Sequence, residues 1–409
     1  MNPLRRFFIP VFLPAVVFAA GEGALIPVLP SRAIDLGASV ALAGLIAGML
    51  MFGHMLGDLP SGSIIARVGE QRGMIIAAGV GAFGAVVAML AQHLALLLVG
   101  VLLVGMAAAM FNLARHALLT QWVPISHRAR AMSLLGGTSR AGTFIGPLAA
   151  APLIAMWGSA AAFWVTLVSA GFVAVFLLVT PDPEVAFAES GASRPVDTPA
   201  ASQPPAHAHA GLAASLREYF PVLIRLGVAV STVQLLRASR QVILPLWGAH
   251  ISLDVTTISI IMGIAGGVDM LLFYASGQIM DRFGRVWVAV PTLVGLGLAH
   301  FVLPAAGTEA WFVGAALFMS LANSLGSGIV MTLGADLAPA DDPAPFLGAW
   351  RLFADSGSAL APLLLSGIAA LAGLTCTAFF FGAAGFIGAG MMWRYIPRYL
   401  PPELSGRAR

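Results

Sequence analysis

Apolar stretches long enough to cross a lipid bilayer, about 20 residues each, recur along the whole chain and are separated by short breaks with Gly, Pro or charge. Of the 409 residues, 59% are hydrophobic and 10% are charged, against roughly 25% charged residues in soluble domains. We count twelve spans, at residues 7–30, 40–64, 73–91, 95–120, 131–156, 160–180, 219–247, 254–280, 287–304, 309–337, 345–370 and 374–396. The sequence therefore predicts an all-α membrane protein with twelve transmembrane helices.

The 21 basic residues are all Arg, and most of those in the breaks lie on one side of the predicted spans. These are Arg5, Arg6, Arg67, Arg72, Arg128, Arg130, Arg282, Arg285, Arg394 and Arg398. Positive charge favours the cytoplasmic side, so we predict a multi-pass protein of the inner (plasma) membrane with both termini in the cytoplasm. The break after the tenth span carries Asp341 and Asp342 instead. The basic clusters thus indicate topology, and we expect no nucleic-acid partner.

Several classes of chemistry have no support in the residues. Cys376 is the only cysteine, which excludes an intramolecular disulfide and a Cys-based metal site. No P-loop, zinc-binding helix motif or nucleophile elbow is present. We therefore expect no enzyme, no metal and no cofactor. The first residues resemble a secretory signal, but their apolar character continues to Pro30, and we interpret them as a retained first helix.

A sequence repeat divides the chain into two halves. GSIIARVGE at residues 62–70 and GQIMDRFGR at residues 277–285 are 215 residues apart. The same spacing relates three further pairs, which are Pro124 with Pro339, Gly142 with Gly357, and Pro147 with Pro362. Each half holds six spans, so both copies have the same orientation, and duplicated six-helix bundles are typical of transporters.

The repeat also sets the expected domain boundaries. We predict an N-terminal bundle at residues 1–180, a flexible cytoplasmic linker at 181–215, a C-terminal bundle at 216–396 and a cytoplasmic tail at 397–409. The linker is rich in Pro, Ala and Ser and has no apolar period. We interpret His207 and His209 as linker residues.

Both copies of the repeated motif fall in the loop between the second and third helices of a half. There they resemble the signature Gly-x-Leu-Ala-Asp-Arg-x-Gly-Arg-Arg of the major facilitator superfamily. The matching residues are Gly62, Arg67 and Gly69 in the first copy, and Gly277, Asp281, Arg282, Gly284 and Arg285 in the second. The first copy has Ala66 in place of the aspartate.

The fifth span carries a second resemblance. GTFIGPLAAAP, at residues 142–152, resembles the Gly-x-x-x-Gly-Pro-x-x-Gly-Gly signature of the twelve-helix drug:proton antiporters. Gly142, Gly146 and Pro147 match, and alanines replace the final glycine pair. Such antiporters usually carry an Arg early in the fourth helix, where this chain has Gly100. Arg115 lies farther along, and an interpretation as a helix-end Arg at the headgroups remains open.

The resemblance implies the major facilitator fold, with two pseudo-symmetric six-helix bundles, and secondary active transport. The leading expectation is proton-coupled efflux of a small amphipathic or drug-like compound by alternating access, with the proton gradient as the energy source. Proton-coupled uptake of a small metabolite or organic anion is the alternative, and a non-transporting membrane sensor is a distant one. The expected partners are the lipid bilayer, a small-molecule substrate and protons, and the expected assembly is a monomer.

The retained aspartate of the second motif copy predicts a latch. The carboxylate of Asp281 can pair with a neighbouring Arg or cap a helix, and such a contact would break when the two halves move. Family analogy implies that Ala66 removes the equivalent contact from the first half. The alternative is that Asp281 only ends a helix and is solvated.

Charged residues inside the spans need partners or water, because each costs at least roughly 2.5 kcal/mol in the bilayer. Six of them are our candidates for the substrate and proton pathway, namely Glu22, Asp58, Arg140, Arg240, Asp269 and Asp355. The repeat sets Glu22 opposite Arg240 and Arg140 opposite Asp355, which predicts a cavity lined by complementary charges. The alternative is ion pairs that serve structure alone.

The proton site is expected at a carboxylate. Glu22 or Asp58 could alternate between a protonated state and an Arg-paired state as water access changes. His54 lies four residues before Asp58 on the same helix face, and we interpret it as a hydrogen-bonded core residue.

Overall fold

The computed structural model describes residues 12–122, 125–180, 217, 219–339 and 343–406. The predicted linker at 181–215 and the acidic pair Asp341 and Asp342 lie outside the described residues. The described part of the chain is almost entirely helical and contains no β-strand. This confirms the all-α fold class.

The first half of the chain forms seven helices. They are α1 (Leu13–Gly23), α2 (Leu29–Asp35), α3 (Val40–Val68), α4 (Glu70–Met89), α5 (Leu94–Trp122), α6 (Ile125–Trp157) and α7 (Ala162–Val179). A 3₁₀ turn, Ser159–Ala161, joins α6 to α7.

The second half begins with a helical turn, Phe220–Val222, and a π-helical turn, Leu223–Gly227. The helices that follow are α8 (Val228–His250), α9 (Val255–Phe283), α10 (Val286–Val302), α11 (Glu309–Leu325), α12 (Ile329–Leu337) and α13 (Pro343–Tyr399). The backbone of α13 is non-helical at Gly373, where φ is 83°. That break divides α13 into the eleventh and twelfth predicted spans.

Helices lie over all twelve predicted spans. Within the described residues, nine helical segments are long and apolar enough to cross a membrane, with α13 counted as one. A helix satisfies its backbone hydrogen bonds internally, which is why long apolar sequences adopt it in lipid.

Two predicted spans are interrupted. The first span divides into α1 and α2 at residues 24–28, and the tenth divides into α11 and α12 at residues 326–328. Pro27 lies within the first break, and Pro30 lies in the first turn of α2, where proline is tolerated. At the second break Gly328 has a φ of 85°, which favours glycine.

Backbone packing divides the described residues into two compact units. The first contains residues 12–180 together with Ser252–Gly267, and the second contains residues 217–251 together with 268–406. Helix α9 therefore begins in the first unit and ends in the second. The domain boundaries expected from the repeat stay a prediction.

In the first unit, α1 packs against α6 and α7, and α5 packs against α3 and α4. Its apolar core includes Phe18 and Phe111, whose rings stack with centroids 4.3 Å apart. In the second unit, α13 packs against α8 and α10, and α10 also contacts α11. Each unit thus buries its own core and positions its own set of charged side chains.

Candidate functional site

The first unit brings Glu22 together with His54. Glu22 lies in the last turn of α1, and His54 lies in the middle of α3. The Oε1 atom of Glu22 is 2.8 Å from Nε2 of His54, and the two side chains are 22% and 30% exposed. Thr166 anchors this end of α1 by donating a hydrogen bond of 2.6 Å to the carbonyl of Gly21. A carboxylate and an imidazole therefore share a half-buried site within the helices.

Arg115 adds a buried cation to the same region. The residue is 2% exposed, so its side chain is enclosed by other helices, and its position relative to the headgroups stays a prediction. Its Nη1 donates to the hydroxyl of Thr138 (2.9 Å) and its Nη2 donates to the amide oxygen of Asn112 (3.0 Å). Its Nε has no hydrogen-bond partner among the described residues. Arg115 interacts electrostatically with Glu22. Glu22 therefore has two basic partners, Arg115 and His54.

Asp58 and Arg140 are the other two candidates of the first unit. Asp58 lies one turn beyond His54 on α3, is exposed, and interacts electrostatically with it. Arg140 is half-buried on α6, and its carbonyl accepts a hydrogen bond from Thr143. The group of Glu22 on α1, His54 and Asp58 on α3, and Arg115 on the adjacent α5 is called the α1–α3 charge cluster below.

The second unit contains a different arrangement, centred on Asp269 of α9. The Oδ2 atom of Asp269 accepts a hydrogen bond of 2.6 Å from Nη2 of Arg240 on α8. Its Oδ1 accepts from the amide of Asn323 and the hydroxyl of Ser324, both at 2.9 Å. Arg240 also donates to the hydroxyl of Ser320 over 2.6 Å. Asp269 is 3% exposed, and this buried carboxylate is satisfied by three donors.

Arg237, one turn before Arg240 on α8, reaches the break between α11 and α12. Its Nη2 donates to the carbonyl of Gly326 over 2.6 Å, and its Nε donates to the amide oxygen of Asn323 over 3.1 Å. Ser276 donates to the carbonyls of Leu325 and Ser327. These contacts supply hydrogen-bond donors to carbonyl groups at the interruption of the helix, where that of Gly326 also accepts from the amide of Ile329.

Asp355 and Arg351 are exposed residues of α13, one helical turn apart. Close ion pairs of the second unit include those of Arg240 with Asp269 and of Arg285 with Asp336. The complementary cavity expected from the repeat, with Glu22 opposite Arg240 and Arg140 opposite Asp355, stays a prediction. Within their own units, Glu22 contacts His54 and Arg240 contacts Asp269.

The two motif loops share one backbone requirement. Gly69 ends α3 with φ and ψ of 87° and 164°, and Gly284 follows α9 with a φ of 94°. Only glycine adopts such angles without strain, which explains why both copies retain it. A Cβ atom added to Gly62 or Gly277 would meet no described atom within 4 Å. Arg67 and Arg282 are exposed.

The ion pair of the second motif loop involves a residue that sequence reasoning missed. The side chain of Asp281 is 84% exposed and lies 3.9 Å from Nη1 of Arg285. Arg285 instead donates from Nε to Asp336 of α12 over 2.8 Å. Arg285 is thus the neighbouring arginine that the sequence predicts for Asp281, but its shorter contact is with the carboxylate of Asp336. The sequence feature that could have indicated this pair is Asp336 itself, an acidic residue at the end of the tenth predicted span.

The residues after α13 cover the same loop. The amide of Arg285 donates to the carbonyl of Leu404 over 2.9 Å, and the indole of Trp287 donates to the carbonyl of Gly406 over 3.2 Å. In the first unit, the side chain of Gln71 ties the start of α4 to the carbonyls of Leu177 and Thr180 at the end of α7. Each motif loop is therefore fixed to the end of the last helix of its half.

The fifth-helix motif forms the contact between α6 and α1. A Cβ atom on Gly142 would lie within 3.0 Å of Ala19, and one on Gly146 would lie within 3.0 Å of the backbone of Ala20 and Ala24. Pro147 follows inside α6. Small residues let two helices approach closely in a membrane, and this contact lies directly beside Glu22.

No cluster of three or more His, Cys, Asp or Glu residues among the described positions could hold a metal ion. The apolar helices and their internal charges define a multi-pass membrane protein.

Comparison with known proteins assigns the family. The sequence profile described as the Major Facilitator Superfamily matches residues 11–236 and 226–409, and the chain belongs to this superfamily. The chain is 24% identical over 322 residues to the uncharacterised MFS-type transporter YddS of Bacillus subtilis, covering 74% of this chain and 71% of that protein. It is 26% identical over 169 residues to the uncharacterised MFS-type transporter Rv1877 of Mycobacterium tuberculosis. That alignment covers 41% of this chain and 24% of the length of the mycobacterial protein.

Solved structures share the fold at low sequence identity. A POT family transporter in complex with a thioalcohol-conjugated peptide has a TM-score of 0.76 and 12% identity, with 96% of each chain covered. A D-xylose-proton symporter has a TM-score of 0.71 and 15% identity, with 99% of this chain and 100% of that chain covered. Similarity at this level establishes the architecture of the chain.

Proposed function

We propose that this protein is a secondary active transporter that exports a small amphipathic or drug-like compound in exchange for protons by alternating access. The observation that carries the proposal is the 2.8 Å contact between Glu22 and His54 within the membrane-spanning part of the first unit. Membership of the superfamily supports transport in general, and this contact supports a proton as the coupling ion.

The charge count of the α1–α3 charge cluster supports this role. Glu22 and Asp58 each carry one negative charge, and Arg115 carries one positive charge. With His54 neutral the four groups have a net charge of −1, and one added proton makes the cluster neutral. A neutral cluster costs less free energy inside the bilayer than a charged one. Binding of a single proton is therefore favourable at this position.

Arg115 gives Glu22 a second electrostatic partner. When the proton leaves, the positive charge of Arg115 remains as an electrostatic partner of the Glu22 carboxylate. Cargo and proton can then compete for the same charged groups. This is the coupling that an exchanger requires, since each bound species must lower the affinity for the other.

The direction of transport is proposed from the fifth-helix motif. Its resemblance to the drug:proton antiporters favours export, and Gly142 and Gly146 pack on α1 next to Glu22. A shift of α6 along α1 would therefore change the surroundings of Glu22. Proton-coupled uptake of a small metabolite or organic anion is the second candidate. It is favoured by the solved relative named a D-xylose-proton symporter and by the buried positive charge of Arg115.

The test begins with the purified full-length chain and a compound screen by thermal stabilisation. A stabilising compound is then titrated into the protein in weakly buffered detergent solution, and released protons are counted. Exchange predicts proton release on binding and an affinity that rises with pH, whereas symport predicts an affinity that falls with pH. Glu22→Gln should abolish the proton release while the protein keeps its elution profile. An affinity that is independent of pH in the wild type would contradict both forms of coupling.

A further inference from the structure

A group of exposed arginines lies where α13 ends and the helical region before α8 begins. Arg394 and Arg398 are four residues apart on α13, and Arg225 lies in the π-helical turn before α8. All three are exposed. The apolar helical segments Phe220–His250 and Phe346–Tyr399 begin and end here, so we expect this group at the membrane surface.

Two tyrosines contact Arg225 and Arg398. The guanidinium carbon of Arg225 lies 5.8 Å from the ring centroid of Tyr395, and that of Arg398 lies 5.7 Å from the same centroid. Arg225 also donates from Nη1 to the hydroxyl of Tyr399 over 2.6 Å. That hydroxyl donates to the carbonyl of Pro221 over 3.2 Å. The positions of the two guanidiniums are thus fixed by an aromatic face and a hydrogen-bond chain.

The positive charges of this group have no acidic partner within the described part of the chain. Among those residues, no ion pair within 4.0 Å involves Arg225, Arg394 or Arg398. Like charges held around one ring repel each other, and an arginine whose only role was to reach water would extend away from its neighbours. The arrangement instead holds two guanidinium groups at one tyrosine ring, and among the described residues neither forms an ion pair with a carboxylate.

We infer that Arg225, Arg398 and Tyr395 form a binding site for the phosphate group of an anionic phospholipid. Guanidinium forks match phosphate oxygens geometrically, and aromatic side chains are typical of the headgroup region. Exposed apolar side chains lie close to the arginines in the sequence and would provide a surface for the acyl chains, namely Phe220, Ile224 and Trp393. The occupant is therefore a lipid whose charge and tails both contact the protein.

The test measures lipid binding to the detergent-solubilised full-length protein by native mass spectrometry. Phosphatidylglycerol and phosphatidylcholine are titrated separately, and the wild type should bind the first phosphatidylglycerol more tightly. Each of Arg225→Gln and Arg398→Gln should weaken that binding about fivefold, the effect of one arginine near a charged lipid surface. Tyr395→Leu, which keeps every charge, should also weaken it because the arginines lose their common support.

Arg72→Gln is the matched control, because Arg72 is an exposed arginine at the start of α4 that lies outside this group. It should leave the phosphatidylglycerol affinity unchanged. Arg398→Lys keeps the charge and loses the fork, so it provides a second variant with an intermediate loss if a Gln variant does not fold. Equal affinity for the two lipids, or an equal loss in Arg72→Gln, would overturn the inference. Displacement of phosphatidylglycerol by millimolar inorganic phosphate would overturn the lipid assignment as well.

Discussion

Arg240 and Asp269 form an ion pair of 2.6 Å in the second unit, and Asn323 and Ser324 donate two further hydrogen bonds to the same carboxylate. The pair joins α8 to α9, and its additional partners join both helices to α11. The contact of Glu22 with His54 in the first unit has one shared hydrogen bond and greater exposure. The carboxylate of the second-unit pair is thus the more buried and the more extensively hydrogen-bonded of the two, whereas Nε of its Arg240 has no hydrogen-bond partner among the described residues.

Removing the acidic member of the buried pair of Arg240 and Asp269 should destabilise the protein strongly. Asp269→Ala leaves the charge of Arg240 buried without its partner, which costs about 3–5 kcal/mol. The combined variant Arg240→Met with Asp269→Leu should lose less, because no unpaired charge remains. Chemical unfolding in detergent measures both. Asp281→Ala is the control on the same helix, since its side chain is 84% exposed and its effect should stay within about 0.5 kcal/mol.

Replacing His54 should impair proton exchange without preventing folding. His54→Asn removes the imidazole that contacts Glu22 while keeping a polar side chain. Protons released on binding of a stabilising compound should decrease relative to the wild type. His93→Asn changes an exposed histidine in the break between α4 and α5 and should release as many protons as the wild type. Equal release in both variants would remove His54 from the proposed mechanism.

The loop of the second motif should depend on Asp336 more than on Asp281. Asp336→Asn removes the carboxylate that Arg285 contacts at 2.8 Å, and hydrogen bonds to charged groups contribute about 1.5–3 kcal/mol. Hydrogen exchange of the amides around residues 281–288 should accelerate roughly tenfold or more. Asp281→Asn should have a smaller effect. The reverse order would restore the latch that the sequence predicts at Asp281.

The contact of α1 with α6 should not tolerate a larger side chain. Gly142→Leu forces atoms into the backbone of α1 at Ala19, and overpacking costs typically 1–3 kcal/mol. Gly171→Leu provides the control on α7, where no described atom lies within 4 Å of the added Cβ. The unfolding temperature in detergent should fall for the first variant only. A similar decrease in both would show that helix composition, and not the contact, is responsible.

The start of α9 should show a pH-dependent contribution to stability. The hydroxyl and backbone amide of Thr257 donate to Asp254, and these bonds lower the pKa of the Asp254 carboxyl below its usual value. A lowered pKa in the folded state stabilises the protein above the unfolded-state pKa of about 3.9, and the contribution is lost as the pH falls through the folded-state pKa.

Asp254→Ala should therefore cost about 1 kcal/mol near neutral pH, as for other helix N-caps. The difference between the unfolding temperatures of the wild type and this variant should shrink in acid. Asp254→Asn retains a side-chain acceptor and should lose less than Asp254→Ala at neutral pH. A difference that does not change with pH would mean that the ionised carboxyl is not the stabilising form.

The sequence by itself determined the helical architecture. Apolar stretches of bilayer length must satisfy their backbone hydrogen bonds internally, so each of the twelve predicted spans contains a helix. The glycines at 69 and 284 were equally predictable, because the turn after each helix needs a positive φ. The motifs and the repeat pointed to the superfamily that the profile match then established.

Only the tertiary structure decided which charges meet. Spacing along one helix identifies side chains on a common face, as for His54 and Asp58, but it does not identify a partner on another helix. Glu22 contacts His54, and Arg285 contacts Asp336, because the packing of neighbouring helices fixes their rotation and their register along the membrane. A residue pair separated by a loop can meet only once that packing has formed, and no periodicity within either helix encodes it.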